Sequence, residues 1–198
     1  MIIGVTGGIA SGKSTVSKYL ASKGFVHIDA DDVAHDVLDL PEVIGKITEV
    51  FGPEVLYAPD DVRGPLRVDR KALGRIVFAD SALMDILEGI THPEVTRLIR
   101  EQISADPDRD YVIEAVALVS SGISEILDEL WVVQAEPEQQ IQRLITTRGL
   151  TREEAEVRLA AQADHDWNES NTTRVIYSTE PLETMTQQID DALKQCYH

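Results

Sequence analysis

Gly7-Gly8-Ile9-Ala10-Ser11-Gly12-Lys13-Ser14-Thr15 is a stretch whose residue types and spacing suit one chemistry, the handling of a polyphosphate. It fits G-x-x-x-x-G-K-[ST], in which glycines let the backbone curl so that successive N–H groups point inward as an anion nest, at the positive end of the following helix. On this reading Gly8, Ala10, Ser11 and Gly12 form the cradle, Lys13 reaches the β- and γ-phosphates of ATP, the Ser14 hydroxyl ligates Mg²⁺, and Thr15 adds a contact to the α-phosphate. A Gly-rich turn that matches by accident is the alternative. The flanks oppose it: the apolar run Met1-Ile2-Ile3-Gly4-Val5 feeds the loop, and Thr15-Val16-Ser17-Lys18-Tyr19-Leu20 leaves it with helical spacing.

Carboxylates and cations elsewhere complete the chemistry. Phe25-Val26-His27-Ile28 reads as a second strand that delivers Asp29-Ala30-Asp31-Asp32 at its carboxyl end, where open α/β sheets bind ligands. An aspartate there can accept the proton of an attacking hydroxyl; Asp31 is favoured, Asp29 and Asp32 are alternatives, and capping of a helix over 33–38 is the plainer use. Glu114, near the end of a buried strand over 111–116, either holds the Mg²⁺ shell through water or is a partly buried structural acid. Arg143 and Arg148 flank a helix-turn-helix that suits a mobile lid over ATP, with ordinary ion pairs on an exposed helix as the alternative. Arg63, Arg67, Arg70, Lys71 and Arg75 cluster within 63–75 and suit an anionic substrate, or else form a solvated helix face. None of the histidines has metal-ligand spacing, and His165-Asp166 reads as a solvated loop pair.

The elements that must position these groups alternate. The helix after the loop ends at Gly24, further helices are expected over 41–50, 69–78, 81–90 and 94–103, and His92-Pro93 interrupts between the last two because the residue before proline is pushed out of the helical region. Residues 54–68 are turn-rich, and 35–105 as a whole reads as almost purely helical. Leu130-Trp131-Val132-Val133-Gln134 is another strand, Pro137 opens a helix at N1, Thr151 and Glu154 form a capping box before a helix running to about Gln162, 174–177 is a last strand and 181–196 a closing helix. The alternation implies an α/β fold of the P-loop NTPase kind, a parallel doubly wound sheet with a helical substrate-binding insert and a helical lid. The expected partition is a core over 1–34, 106–145 and 170–198, an insert over 35–105 and a lid over 146–169.

Composition narrows the setting. At 198 residues and 43% hydrophobic, the chain suits one sizeable core with an inserted subdomain rather than two full domains. A net charge of −17 argues against nucleic-acid or anionic-membrane surfaces, which need a basic field, so that basic residues must be concentrated wherever an anionic substrate binds. Cys196 is the only cysteine, no basic segment opens the chain and no run of 18 apolar residues occurs, so a cytoplasmic protein is expected, as a monomer or small homo-oligomer.

The loop residues Thr6 to Thr15, then Ile28-Asp29-Ala30-Asp31, Phe51-Gly52, Asp69-Arg70-Lys71-Ala72-Leu73-Gly74-Arg75-Ile76-Val77-Phe78 and Ile90-Thr91-His92-Pro93 occur in an order and spacing that resembles the dephospho-CoA kinase family. The likeness extends through Gln142-Arg143-Leu144 and Arg148-Gly149-Leu150-Thr151 to Ala160-Ala161-Gln162. It implies transfer of the ATP γ-phosphoryl to the ribose 3′-hydroxyl of dephospho-CoA, with Mg²⁺, giving CoA and ADP. Catalysis would fall to Asp31, Lys13, Arg143 and Arg148, and substrate contacts to Asp31, His35, Arg70, Arg75 and His92. The family pattern is not met everywhere: Val116-Ala117-Leu118-Val119-Ser120 stands where a Pro-Leu-Leu-Phe-Glu-like segment is usual, His35 replaces a frequent arginine, Thr147 sits where many members carry the second lid arginine, and the stretch around Ser178 departs from Ala-Asp-x-Val-Ile-x-Asn-x-Gly. A P-loop kinase of another small acceptor, or a non-catalytic ATP-binding homologue, are the rival expectations.

Overall fold

The computed structural model describes residues 1–57, 66–116, 122–162, 172–178 and 181–197; Arg63, His165, Asp166, residues 117–120 of the departing segment and residues 179–180 lie outside them. In chain order the elements are β1 (Ile2–Thr6), α1 (Lys13–Ser22), β2 (Val26–Asp29), α2 (Ala30–Val37), α3 (Pro41–Phe51), β3 (Leu56–Tyr57), β4 (Arg67–Val68), α4 (Arg70–Val77), α5 (Ser81–Ala105), β5 (Tyr111–Glu114), β6 (Glu129–Gln134), α6 (Pro137–Arg148), α7 (Arg152–Ala160), β7 (Arg174–Tyr177) and α8 (Leu182–Cys196). They divide into two compact units, Met1–Asp29 with Asp106–His198, and Ala30–Ala105.

The first unit is built on a five-stranded sheet of order β2-β5-β1-β6-β7, parallel at every pairing. Parallel strands covered on both faces read as continuous apolar runs, and β5 is buried at all of its residues. Ile3, Val5, Val112, Trp131, Val133 and Ile176 on one face of the sheet pack against Val16 and Leu20 of α1 and Met185, Ile189 and Ala192 of α8. The connection from β1 through α1 reaches β2 on one side, whereas β5 leads to β6 on the other. Neighbouring strands whose connections leave in opposite directions open a crevice beyond their carboxyl ends, and that is where an open α/β sheet binds its ligand. Thr6 and Glu114 end the two strands that flank it.

In the second unit α2, α3 and α4 pack on α5. The break expected at His92-Pro93 does not occur: α5 is continuous over 25 residues with Pro93 inside it. Thr91, Val95 and Ile99 make a buried stripe through that point, and burying it on three helices outweighs the missing Pro93 N–H; the residue four before it, Gly89, has open space around its Cβ position. Nor is this unit purely helical. Leu56↔Val68 and Tyr57↔Arg67 pair as an antiparallel ribbon, and Asp69 just beyond it caps α4 by accepting from the N–H groups of Lys71 (2.9 Å) and Ala72 (3.0 Å). Helix α2 begins at Ala30, three residues earlier than the expected 33, so Asp31 and Asp32 lie in its first turn rather than ahead of it, favourable to the positive end of the helix.

Candidate active site

The loop between β1 and α1 is held in a conformation that few sequences accept. Gly7 (φ +146°) and Gly12 (φ +106°) have left-handed backbones, and a Cβ at Gly7 would stand 2.3 Å from the Val133 carbonyl oxygen, at Gly12 2.6 Å from Ser178 Oγ. Ala10, at φ +55°, is the only non-glycine residue with positive φ among those described. Helix α1 starts at Lys13 with no side-chain cap and no acidic residue in its first turn, so its positive end suits an anion. The Lys13 ammonium donates to the carbonyls of Gly7 (2.9 Å) and Gly8 (3.1 Å).

Ser14, one turn into α1, donates its hydroxyl proton to Glu114 Oε1 at 2.6 Å. Glu114 is 6% exposed, and its other oxygen, Oε2, has no hydrogen-bond partner although His27 Nε2 lies 3.2 Å away; the two atoms are near but not aligned for a bond. Asp29 sits beside Glu114 in the β2–β5 register. A hydroxyl and a buried carboxylate with a spare oxygen are hard ligands of the kind Mg²⁺ takes, so Ser14 and Glu114 fit that ion. Among the described residues no cluster of three His, Cys, Asp or Glu could hold a metal, and Mg²⁺ in such sites is completed by phosphate oxygens and water.

Helices α6 and α7 back the loop. Arg143 donates through one guanidinium nitrogen to the carbonyls of Ala10 and Ser11, both at 3.1 Å. Arg148, the last residue of α6, is exposed and stands about 140° round the helix from Arg143, so the two expected lid arginines do not share a face. Thr151 and Glu154 make the capping box read from sequence. Arg152 donates to both oxygens of Glu138 at 3.0 and 2.6 Å, joining the starts of α7 and α6, and with Gln142 it holds the Glu138 carboxyl down to about 2. Ile141, Leu144 and Ala155 form a small core against Ile9 and Ala10 of the loop. A cavity of about 510 Å³ opens between the loop, the end of β6 and the two helices, with Gly8, Ala135, Gln140, Leu159 and Gln162 on its walls.

The other expected site residues lie in the second unit. Asp31, His35, Arg70 and Arg75 are exposed, and His92 is half-buried in α5. Arg70 donates to the His35 carbonyl at 2.9 Å, which ties α4 to α2. A second cavity of about 500 Å³ is lined by Tyr57, Arg67, Arg70 and Lys71 with Asp39 and Asp69, so three of the five clustered basic residues share one hollow. Three residues near the loop had no role in the sequence reading. Thr6 Oγ1 donates to the Val116 carbonyl (3.0 Å), Gln140 donates to the Ile9 carbonyl and Gln162 accepts from the Ile9 N–H. A polar residue one position before an apolar stripe was the only sequence signal for Gln140.

A glycine-rich loop joining strand to helix at the crevice of a parallel sheet, with a hydroxyl and an acid set beside it, defines a P-loop kinase fold. Shikimate kinase from Bacteroides thetaiotaomicron shares that fold at 13% identity and a TM-score of 0.55, over 98% of each chain. The chain belongs to the dephospho-CoA kinase family, whose model matches residues 1–182. Dephospho-CoA kinases of Fusobacterium nucleatum and Geobacter sulfurreducens are 37% and 40% identical, each aligned over 96% of this chain and 95% of the relative. A crystal structure from Thermus thermophilus superimposes with a TM-score of 0.79 at 32% identity over 98% of this chain and 97% of that one. Dephospho-CoA kinase from Campylobacter jejuni gives 0.59 at 28% identity over 98% and 96%.

Proposed function

We propose that this chain transfers the γ-phosphoryl group of ATP to the ribose 3′-hydroxyl of dephospho-CoA, releasing CoA and ADP. The match of residues 1–182 to the dephospho-CoA kinase family carries the choice of acceptor, and the loop beside Ser14 and Glu114 supports the chemistry. Gly8, Ala10, Ser11, Gly12, Lys13, Ser14 and Thr15 bind the polyphosphate, and the Lys13 ammonium moves from the Gly7 and Gly8 carbonyls onto the β- and γ-phosphate oxygens. Ser14 and Glu114 would hold Mg²⁺, which when bound would supply positive charge against those oxygens. Asp31 accepts the proton of the attacking hydroxyl, so that an alcohol with a pKa far above 7 is nucleophilic only as its proton leaves. Arg143 and Arg148 supply cationic charge to the transferring group, with residues 146–169 as the lid. Arg70, Arg75, His35 and His92 bind the acceptor, and the hollow that holds Arg67, Arg70 and Lys71 suits its phosphates.

ADP release measured in a coupled assay across dephospho-CoA, shikimate and simple sugars tests the acceptor. Stimulation by dephospho-CoA alone is expected, and none by dephospho-CoA would remove the proposal. Lys13→Ala should lower transfer by about 10³-fold or more, because charge on the equatorial oxygens then has no cation from the loop.

A further inference from the structure

The Ile9 backbone is gripped on both sides of its Cα. Its N–H donates to Gln162 Oε1 at 2.7 Å, and its C=O accepts from Gln140 Nε2 at 2.7 Å. Backbone partners fix which amide atom faces which group, since an N–H requires an oxygen and a C=O requires an N–H. Gln140 is 7% exposed, too buried for water to replace its partner readily. It shares a face of α6 with Arg143 at i,i+3, and Arg143 holds the next two carbonyls of the loop, those of Ala10 and Ser11. Four backbone groups on the three consecutive residues Ile9, Ala10 and Ser11 are therefore bonded to side chains of α6 or of the turn that ends α7. Inside the gripped segment stands Ala10 in the left-handed region, a conformation an alanine leaves unless its neighbours hold it there.

We propose that Gln140 and Gln162 are positioning residues that clamp the two peptide groups flanking Ile9 and so hold the phosphate-binding loop in its nucleotide-competent curl. The clamp gives α6 and α7 direct control of the loop: their displacement removes the bonds that keep Ala10 left-handed, and the competent fraction of loops falls with them. This rests on the loop binding a nucleotide, but not on the identity of the acceptor. Neither glutamine touches phosphate in this scheme; each acts through the backbone of Ile9.

The polarity of the two bonds supplies a test that simple packing would fail. Glutamate keeps an acceptor for the Ile9 N–H at position 162, whereas at position 140 it replaces the donor with a second acceptor facing a carbonyl; both changes add the same charge. Binding of N-methylanthraniloyl-ADP with Mg²⁺ at pH 8 is measured on the full chain, alongside the melting temperature and hydrogen exchange at the Ile9 amide. Gln140→Met and Gln162→Met are each expected to weaken binding by about five-fold, the worth of one lost hydrogen bond. Gln162→Glu should bind at least about five-fold more tightly than Gln140→Glu and keep the Ile9 amide slow to exchange, while Gln162→Met makes it fast. Equal affinities for the two Glu variants, unchanged affinity in the Met variants, or tighter binding by Gln162→Met would each overturn the clamp. Should the Gln140 variants not fold, the half-exposed Gln162 decides by its Glu and Met forms alone. Wild-type protein that binds the nucleotide yet phosphorylates no dephospho-CoA would sink the acceptor proposal and leave the clamp standing.

Discussion

Single side chains in this protein act through the backbone as much as through their own charge. Lys13, Gln140, Arg143 and Gln162 all bond main-chain atoms of the loop, and Ser14 meets Glu114 across the neighbouring strand. The placing of Lys13 and Ser14 at the start of α1 was legible in the sequence because a phosphate cradle dictates both residue type and spacing. Gln140 and Gln162 were not, because a glutamine has no preferred function until its partner is known. Asp31 is legible by its place two residues past β2, and its proposed role has a separable signature. Asp31→Asn is expected to lower kcat by about 10²- to 10⁴-fold, the usual worth of a general base, with little change in the affinity for ATP. Steady-state kinetics beside calorimetric titration with ATP checks it; a kcat near that of the wild type would assign the base elsewhere.

At the scale of elements, local rules held where the chain is exposed and lost where it is packed. The capping box at Thr151 and the proline opening α6 stand as expected. The proline rule failed at His92-Pro93, since Val95 and Ile99 are buried on the far side of the supposed break. Pro93→Ala restores a donor to the Gly89 carbonyl and removes the ring from the helix interior, so unfolding by denaturant should show a gain of about 1 kcal/mol. The β6–β7 edge depends on charge. Burial alone would raise the Glu129 carboxyl, but Arg174, bonded at 2.8 and 3.0 Å, with help from Trp131 and Cys196, holds it below its usual range. A depressed folded value means that this stability is complete above the unfolded carboxylate pKa of about 4.3 and is lost as pH falls through the folded value. The melting-temperature gap between wild type and Glu129→Gln is therefore expected to be constant near neutrality and to shrink below about pH 4.

For the molecule as a whole, a charge of −17 on 198 residues is the dominant long-range term. Self-repulsion between carboxylates destabilises the compact state and is screened within about 10 Å at 0.1 M salt. Raising sodium chloride from about 20 to about 200 mM should lift the melting temperature by about 2–4 °C, equivalent to about 1 kcal/mol at this size. A fall instead would mean that exposed pairs such as Arg97 with Glu94 and Glu101 outweigh the repulsion. Among the described residues no helix is long and apolar enough to cross a membrane. By itself the sequence determined the fold class, the loop and the strand ends that flank it, because a phosphate nest and a parallel sheet are specified by contiguous residue types. Only the tertiary structure decided that α5 runs through its proline and that two glutamines hold the backbone of Ile9. Those outcomes follow from burial and from partners distant in the chain, such as Ile9 and Gln162, and local sequence preference does not contain them.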